Sequence, residues 1–320
     1  MIVRDRPSGL HLFFIMKGSI LRSIRWTLLA NILLAVLVTV SHGSFFDHKL
    51  QVTALPFSLM GLPLAIFLGF RNNACYDRYW EARKMWGDVL QRCRSLARQL
   101  VTLVEPESST SSGHATAHLR RILDDRNWMV RQLPAFAHAL RRHLRGLTRP
   151  DPAWDHWMPE ADREALARVG NPPSFLLLRL AQQLQVCRRQ GRLDTVLATS
   201  IEAQLAGLTA SAAACERIQS SPLPFAYTLL LHRTAYLYCF LLPFGLVDTM
   251  GWLTPLVVAI VAYTFFGLDA VGDEIEEPFG DGPNDLPMDA ICRAIEIDML
   301  QALGEPEVPP PLKPVDYLLT

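Results

Sequence analysis

From Gln51 to Phe70 the chain reads QVTALPFSLMGLPLAIFLGF, twenty residues without an ionisable side chain. A hydrocarbon core of ~30 Å takes about 20 apolar residues of α-helix, so this run is long enough to cross a bilayer. Nothing stops the helix at its end. RNNACYDRYWEARKMWGDVLQRCRSLARQ follows at once, with Arg71, Asp77, Arg78, Glu81, Arg83 and Lys84 in quick succession. Its excess of arginine and lysine marks the cytoplasmic side. One helix is therefore expected to leave the membrane and continue into water, as a pore-lining segment does when it joins a channel to a cytosolic vestibule.

Composition supports this segregation. Half of the 320 residues are hydrophobic, only 19% are charged and the net charge is zero. The apolar runs gather at Trp26 to Ser41, Gln51 to Phe70 and Thr234 to Leu268, and most arginines lie between Arg71 and Arg233. A neutral balance argues against nucleic acid as a partner. The six cysteines form no CxxC pair and no spaced Cys/His set, which favours reduced thiols. The N-terminal MIVRDRPSGLHLFFIMKGSI lacks a small-residue cleavage site and reads as mature protein.

Residues 10 to 20 suggest a short amphipathic helix at the membrane surface. The run from Trp26 is a first membrane helix, with Arg22 and Arg25 placing its start inside. HGSFFDHKL allows only a short external turn before the second helix. Between Thr234 and Leu268 the one charge is Asp248, and an unbroken helix there would be about 50 Å long, too long for a bilayer. A split at Asp248 to Gly251 gives two spans, the first starting near Pro224. Arg71 to Leu223 reads as helical throughout, with LLLRLAQQLQVCRRQG ending on Gly191, a loop at 107–117 and a break around Pro150 to Pro159. No strand pattern and no internal repeat is apparent. The tail EPEVPPPLKPVDYLLT reads as extended.

Leu62, Ile66 and Phe70 fall at i, i+4 and i+8 and share one helix face. Such a stripe packs against a neighbouring helix, or it meets symmetry copies at a narrow apolar neck that gates by dewetting. Pro63 on the same helix frees the carbonyl of Leu59 and allows a kink. Asn72 and Asn73, just below Phe70, offer polar groups to an ion leaving such a neck, and equally suit an interfacial helix. The carboxylates from Asp269 to Asp289 offer oxygen ligands for a divalent cation but lack EF-hand spacing, so a solvated acidic surface is the plainer expectation. No P-loop, GxSxG, HExxH or dinucleotide fingerprint is present, and no enzyme is expected.

The segments PFSLMGLPLAIFLGFRNNACYDRYWEARKMWG, CERIQSSPLPFAYTLLLHRTAYLY, the hairpin around Asp248 and EEPFGDGPNDLP resemble the bestrophin family, in particular its compact bacterial branch. They occur in family order from about Lys17 to about Gly304; the loop from about Glu105 to Ser112 and the tail after Gly304 look unconstrained. The resemblance implies an all-α membrane protein: a homopentamer with four transmembrane helices per subunit, a helical cytosolic domain and one axial pore lined by the second helix. It also implies a multi-pass cell-membrane (plasma or inner membrane) location with both termini cytoplasmic. The family's apolar neck falls on Leu62, Ile66 and Phe70, and its cytosolic aperture on Val196. The calcium clasp of animal members is a run of carboxylates; here DGPND keeps only Asp281 and Asp285, with Gly282 and Pro283 interposed, and no cofactor is expected. Animal members conduct chloride, and bacterial relatives are associated with sodium and potassium, so the resemblance leaves the sign of the ion open.

The organisation expected is an N-terminal interfacial part at 1–25, membrane helices 1 and 2 at 26–70 with the second continuing to about 100, and a vestibule domain at 71–223. Membrane helices 3 and 4 follow at 224–268, then an acidic turn and helix at 269–304 and the tail at 305–320. The partners expected are a lipid bilayer, further copies of the chain and small monovalent ions. The alternative is a membrane-anchored helical scaffold or sensor without conduction, its apolar stripe packed against helices of the same subunit.

Overall fold

The structure is a computed structural model that describes residues 1–4, 9, 15, 18–41, 44–45, 48–49, 53–105, 115–148, 151–158 and 160–320. The expected surface helix at 10–20 and the loop at 107–117 lie largely outside these residues.

Helix α1, Leu21–Val40, buries one narrow side through Ile24, Asn31, Ala35, Val38 and Thr39. Its other faces carry exposed Leu29, Leu33, Val36, Leu37 and Val40. A helix apolar all round needs lipid or another chain outside it. Beyond α1, Ser44–Phe45 (β1) pairs antiparallel with His48–Lys49 (β2), Ser44 opposite Lys49. This two-residue ladder is the one departure from helix among the named elements, and its four residues were too few for a strand pattern to register.

Helix α2, Leu55–Leu103, is a single helix of 49 residues. At 1.5 Å per residue it is about 74 Å long, more than twice a hydrocarbon core. Its buried positions run Leu64, Leu68, Arg71, Cys75, Ala82, Trp86, Val89, Cys93, Leu96 and Leu100, a three-and-four spacing that keeps one seam against the protein from Leu64 to Leu100.

Helix α3 spans Ala115–Leu144, followed by the short α4, Pro152–Asp155, and α5, Glu160–Ala167. The break around Pro150 is anchored: Trp157 and Met158 just after α4 are buried in the main core. Helix α6, Pro172–Arg189, starts on Asn171, whose side chain accepts from Ser174 N at 3.0 Å, and is followed by Gly191 at φ +70°. Helix α7, Thr195–Ser220, is capped by Asp194, which accepts from Val196 N at 2.7 Å. It runs antiparallel along the lower half of α2, as Gln99–Ser200 (2.9 Å) and Glu81–Arg217 (2.7 Å) show.

Helix α8, Phe225–Met250, a single 3-10 turn at Gly251–Leu253 and α9, Thr254–Glu276, form a hairpin. Tyr236 on Phe266 (4.7 Å between ring centroids) and Tyr238 on Phe265 (5.3 Å) hold its arms together. The turn falls later than expected, because α8 continues through Asp248 to Met250 and the chain reverses where Gly251 takes φ +50°. By length and composition Leu21–Val40, Leu55–Leu103 and Phe225–Glu276 each qualify as membrane-crossing, and the last folds back at Gly251.

Helix α10, Met288–Ala302, packs on α2 and α3 and completes the main core. That core lies wholly below the apolar arms; a smaller one of Ile24, Leu64, Leu68, Leu231, Ala235, Phe265 and Phe266 joins α1, α2, α8 and α9. The tail is not loose. Leu319 N donates to Met1 O at 2.9 Å, Val3 N to Tyr317 O at 2.9 Å and Ala290 N to Thr320 O at 2.8 Å. The two ends of the described chain thus lie together at the start of α10, a long-range pairing that local composition cannot signal.

Candidate pore helix and its anchoring ion pairs

Leu62, Ile66 and Phe70 are exposed, at 67%, 46% and 59%, although they lie in the most apolar part of α2. At about 100° per residue, their mean direction is about 170° from that of Leu64, Leu68 and Arg71, which face the helices of the same chain. The stripe extends upward through exposed Leu55 and Leu59. Downward it changes character: the exposed positions on the same line are Asn73, Asp77, Trp80 and Lys84. One unbroken helix face thus passes from dry to polar within a single turn after Phe70.

The two asparagines part company. Asn73 continues the stripe, whereas Asn72 turns toward α9 and its amide donates to Leu268 O at 3.0 Å. Val196 lies in the first turn of α7 and is 74% exposed. Since α7 runs antiparallel to α2, Val196 sits beside the far end of α2, about 50 Å below Phe70 by helix rise.

Where the dry stripe ends, the opposite face of α2 carries a buried ion network that sequence reasoning missed. Arg71 is fully buried, and its guanidinium donates to Asp269 Oδ1 at 2.9 Å, to Asp273 and to Glu276 Oε2 at 3.4 Å. Asp269 also holds His232 of α8, with Nδ1 2.7 Å from Oδ2, and His232 stacks on Tyr236 at 4.1 Å. Glu276 accepts from Leu223 N at 3.1 Å, and Arg78 donates to Glu276 O at 2.7 Å and Ser221 O at 2.5 Å. Carboxylates of α9 thereby clamp α2, α8 and the joint between α7 and α8 at one level. The signal was available: Arg71 is the first charge after one apolar run and Asp269 the first after another, and ionisable groups at such boundaries pair.

The acidic stretch is therefore only partly a solvated surface. Asp289 receives Arg141 and Arg145, and Asp285 folds back to accept from Gly282 N at 2.6 Å. Burial raises the pKa of Asp285, despite that hydrogen bond. Calcium takes six to eight oxygen ligands. Among the described residues no group of three or more His, Cys, Asp or Glu side chains gathers as a metal site. All six cysteines are free and buried, and burial pushes the Cys93 and Cys215 thiols up to about 12.

The bacterial/fungal bestrophin family model matches residues 1–301. A voltage-dependent anion channel-forming protein of Mesorhizobium japonicum is 41% identical over 99% of this chain and 96% of its own length. Its counterpart in Escherichia coli is 40% identical over 98% of each. Among solved structures, a bacterial bestrophin homologue from Klebsiella pneumoniae superposes with a TM-score of 0.80 at 35% identity, covering 89% of this chain and all of that one. With a family match over nearly its whole length, relatives of this identity and the same helical architecture, the chain belongs to the bacterial and fungal bestrophin family of membrane proteins.

Proposed function

We propose that the protein is a passive ion channel, a homopentamer in the plasma or inner membrane whose single axial pore is lined by α2. The observation that carries this is the exposed stripe of α2, apolar through Phe70 and polar from Asn73. A scaffold that used its apolar helices only as a tether would turn this stripe against helices of its own subunit, and Leu62, Ile66 and Phe70 stand free of them. The names of the relatives, all channel-forming, support conduction rather than catalysis.

In this channel α1, α2, α8 and α9 each cross the bilayer, with both chain ends on the cytoplasmic side. Five copies bring Leu62, Ile66 and Phe70 into three stacked apolar rings. Ions shed water unfavourably there, so the neck conducts only when it widens enough to stay wet. Asn73 receives the ion below the neck, the helical domain forms a vestibule and Val196 of each copy forms the lower aperture. Conduction proceeds without calcium. Apolar rings carry no charge to discriminate sign, so selection falls to the vestibule surface and the helix ends. The relatives' names make anions the first ions to test.

Reconstitution into liposomes tests this directly. Reversal potentials under sodium chloride and potassium chloride gradients assign the permeant sign, and an absence of flux from protein that is folded and oriented would refute the channel.

A further inference from the structure

A groove of about 1130 Å³ lies where α1 begins, between the first residues of the chain and the last. Its floor is apolar, formed by Leu21, Leu28, Leu29 and Ile32 of α1. Its rim carries four cations, Arg4, Arg22, Arg25 and Lys313. The acids beside them are Glu274 and Asp316. Glu274 accepts from Ser23 Oγ at 3.1 Å and from Asn284, and the four cations outnumber the two acids. Arg4 stacks on Tyr317 at 4.7 Å and Arg25 on Trp26 at 5.3 Å, which orients each guanidinium while leaving its N–H edges available.

We propose that this groove binds an anionic phospholipid of the cytoplasmic leaflet. The phosphate sits among Arg4, Arg22, Arg25 and Lys313, and an acyl chain lies along Leu21, Leu28 and Ile32. The placement rests on α1 crossing the membrane with its first turns inside, as proposed above. Charge complementarity selects the occupant: a basic rim directly beneath an apolar helix face fits a lipid with a net negative headgroup and an acyl tail, whereas a free anion uses the rim alone and a zwitterionic lipid brings its own cation to a rim that is already basic. Because Ile2, Tyr317 and Leu318 also line the groove, the bound lipid would brace the paired chain ends against α1.

The test is native mass spectrometry of the purified full-length protein in neutral detergent. The probes are dioctanoyl phosphatidylglycerol, dioctanoyl phosphatidylcholine and inorganic phosphate. Phosphatidylglycerol is expected to bind at least about tenfold tighter than phosphatidylcholine. At about fivefold per surface cation, the R22Q/R25Q pair should weaken it about 30-fold. K313Q, on the tail outside any helix, should weaken it about fivefold and serves if the pair does not fold. R188Q/R189Q, at the exposed end of α6, should leave binding unchanged. Equal binding of the two lipids, equal retention with R22Q/R25Q and K313Q, or competition by inorganic phosphate at the same concentration would each overturn the proposal. No arm depends on conduction, so failure here is distinct from failure of the channel.

Discussion

Arg71 shows how much one side chain fixes. A guanidinium with no solvent exposure is retained because Asp269, Asp273 and Glu276 surround it, and removing one partner of a buried pair costs about 3–5 kcal/mol. R71M is expected to lower thermal stability in detergent by an amount of that order. R71M/D269N should recover part of the loss, because the most buried of the three carboxylates facing Arg71 is then neutral, while Asp273 and Glu276 keep their charge; strict additivity in this double-mutant cycle would contradict the coupling. Periodicity placed Leu62, Ile66 and Phe70 on one face, and they do share it. It could not pair Arg71 with Asp269, 198 positions later, since the contact depends on how α9 returns past α2. At Phe70 the burial of all six native cysteines leaves a clean probe. F70C should form cross-links between subunits when oxidised in liposomes, read as a dimer band that a scaffold with inward-facing stripes would not give.

Between elements, α2 and α8 interlock through reciprocal glycines. A Cβ on Gly245 would come within 2.4 Å of the Phe57 ring, and one on Gly61 within 2.8 Å of the Tyr238 hydroxyl. Small residues let membrane helices approach closely, where packing rather than water drives association. G245A is therefore expected to destabilise the α2–α8 contact by about 1–3 kcal/mol, seen as a lower unfolding midpoint in detergent. An unchanged midpoint would mean that the ring moves aside freely. The long helices were legible because their apolar runs and breakers are local signals: Gly191, read as a stop, and Pro224, read as a start, sit next to helix ends. The tail was not, because what holds 315–320 is backbone pairing to the first residues of the chain and to Ala290. The hairpin turn, expected at Asp248 to Gly251, begins at the last residue of that stretch, because the helix carries on through Asp248 and the chain reverses at Gly251.

Across the whole molecule, the main helical core depends on buried carboxylates. Burial alone would raise the pKa of Glu296, but hydrogen bonds from His138 (2.6 Å) and Trp157 (3.1 Å), with Arg293 nearby, hold it below the usual range. Arg145 and Arg141 do the same for Asp289 against its burial. A carboxylate depressed in the folded state stabilises fully above its unfolded pKa, about 4, and loses that contribution as pH falls through the folded value. The domain should therefore lose stability as pH drops below about 4, and E296Q should flatten that slope while lowering stability at neutral pH; circular dichroism across a pH series reads both. Calcium chelation with EGTA should leave ion flux through reconstituted channels unchanged, and a loss reversed by added calcium would contradict calcium-free conduction.

The direct test of the pore is ion flux from liposomes carrying the L62A/I66A/F70A triple variant. If these three side chains form the dewetting neck, their truncation widens and wets it, and flux rises above that of the unaltered protein at equal protein content. Flux identical to the unaltered channel would place the constriction elsewhere and remove the exposed stripe of α2 from the conduction path.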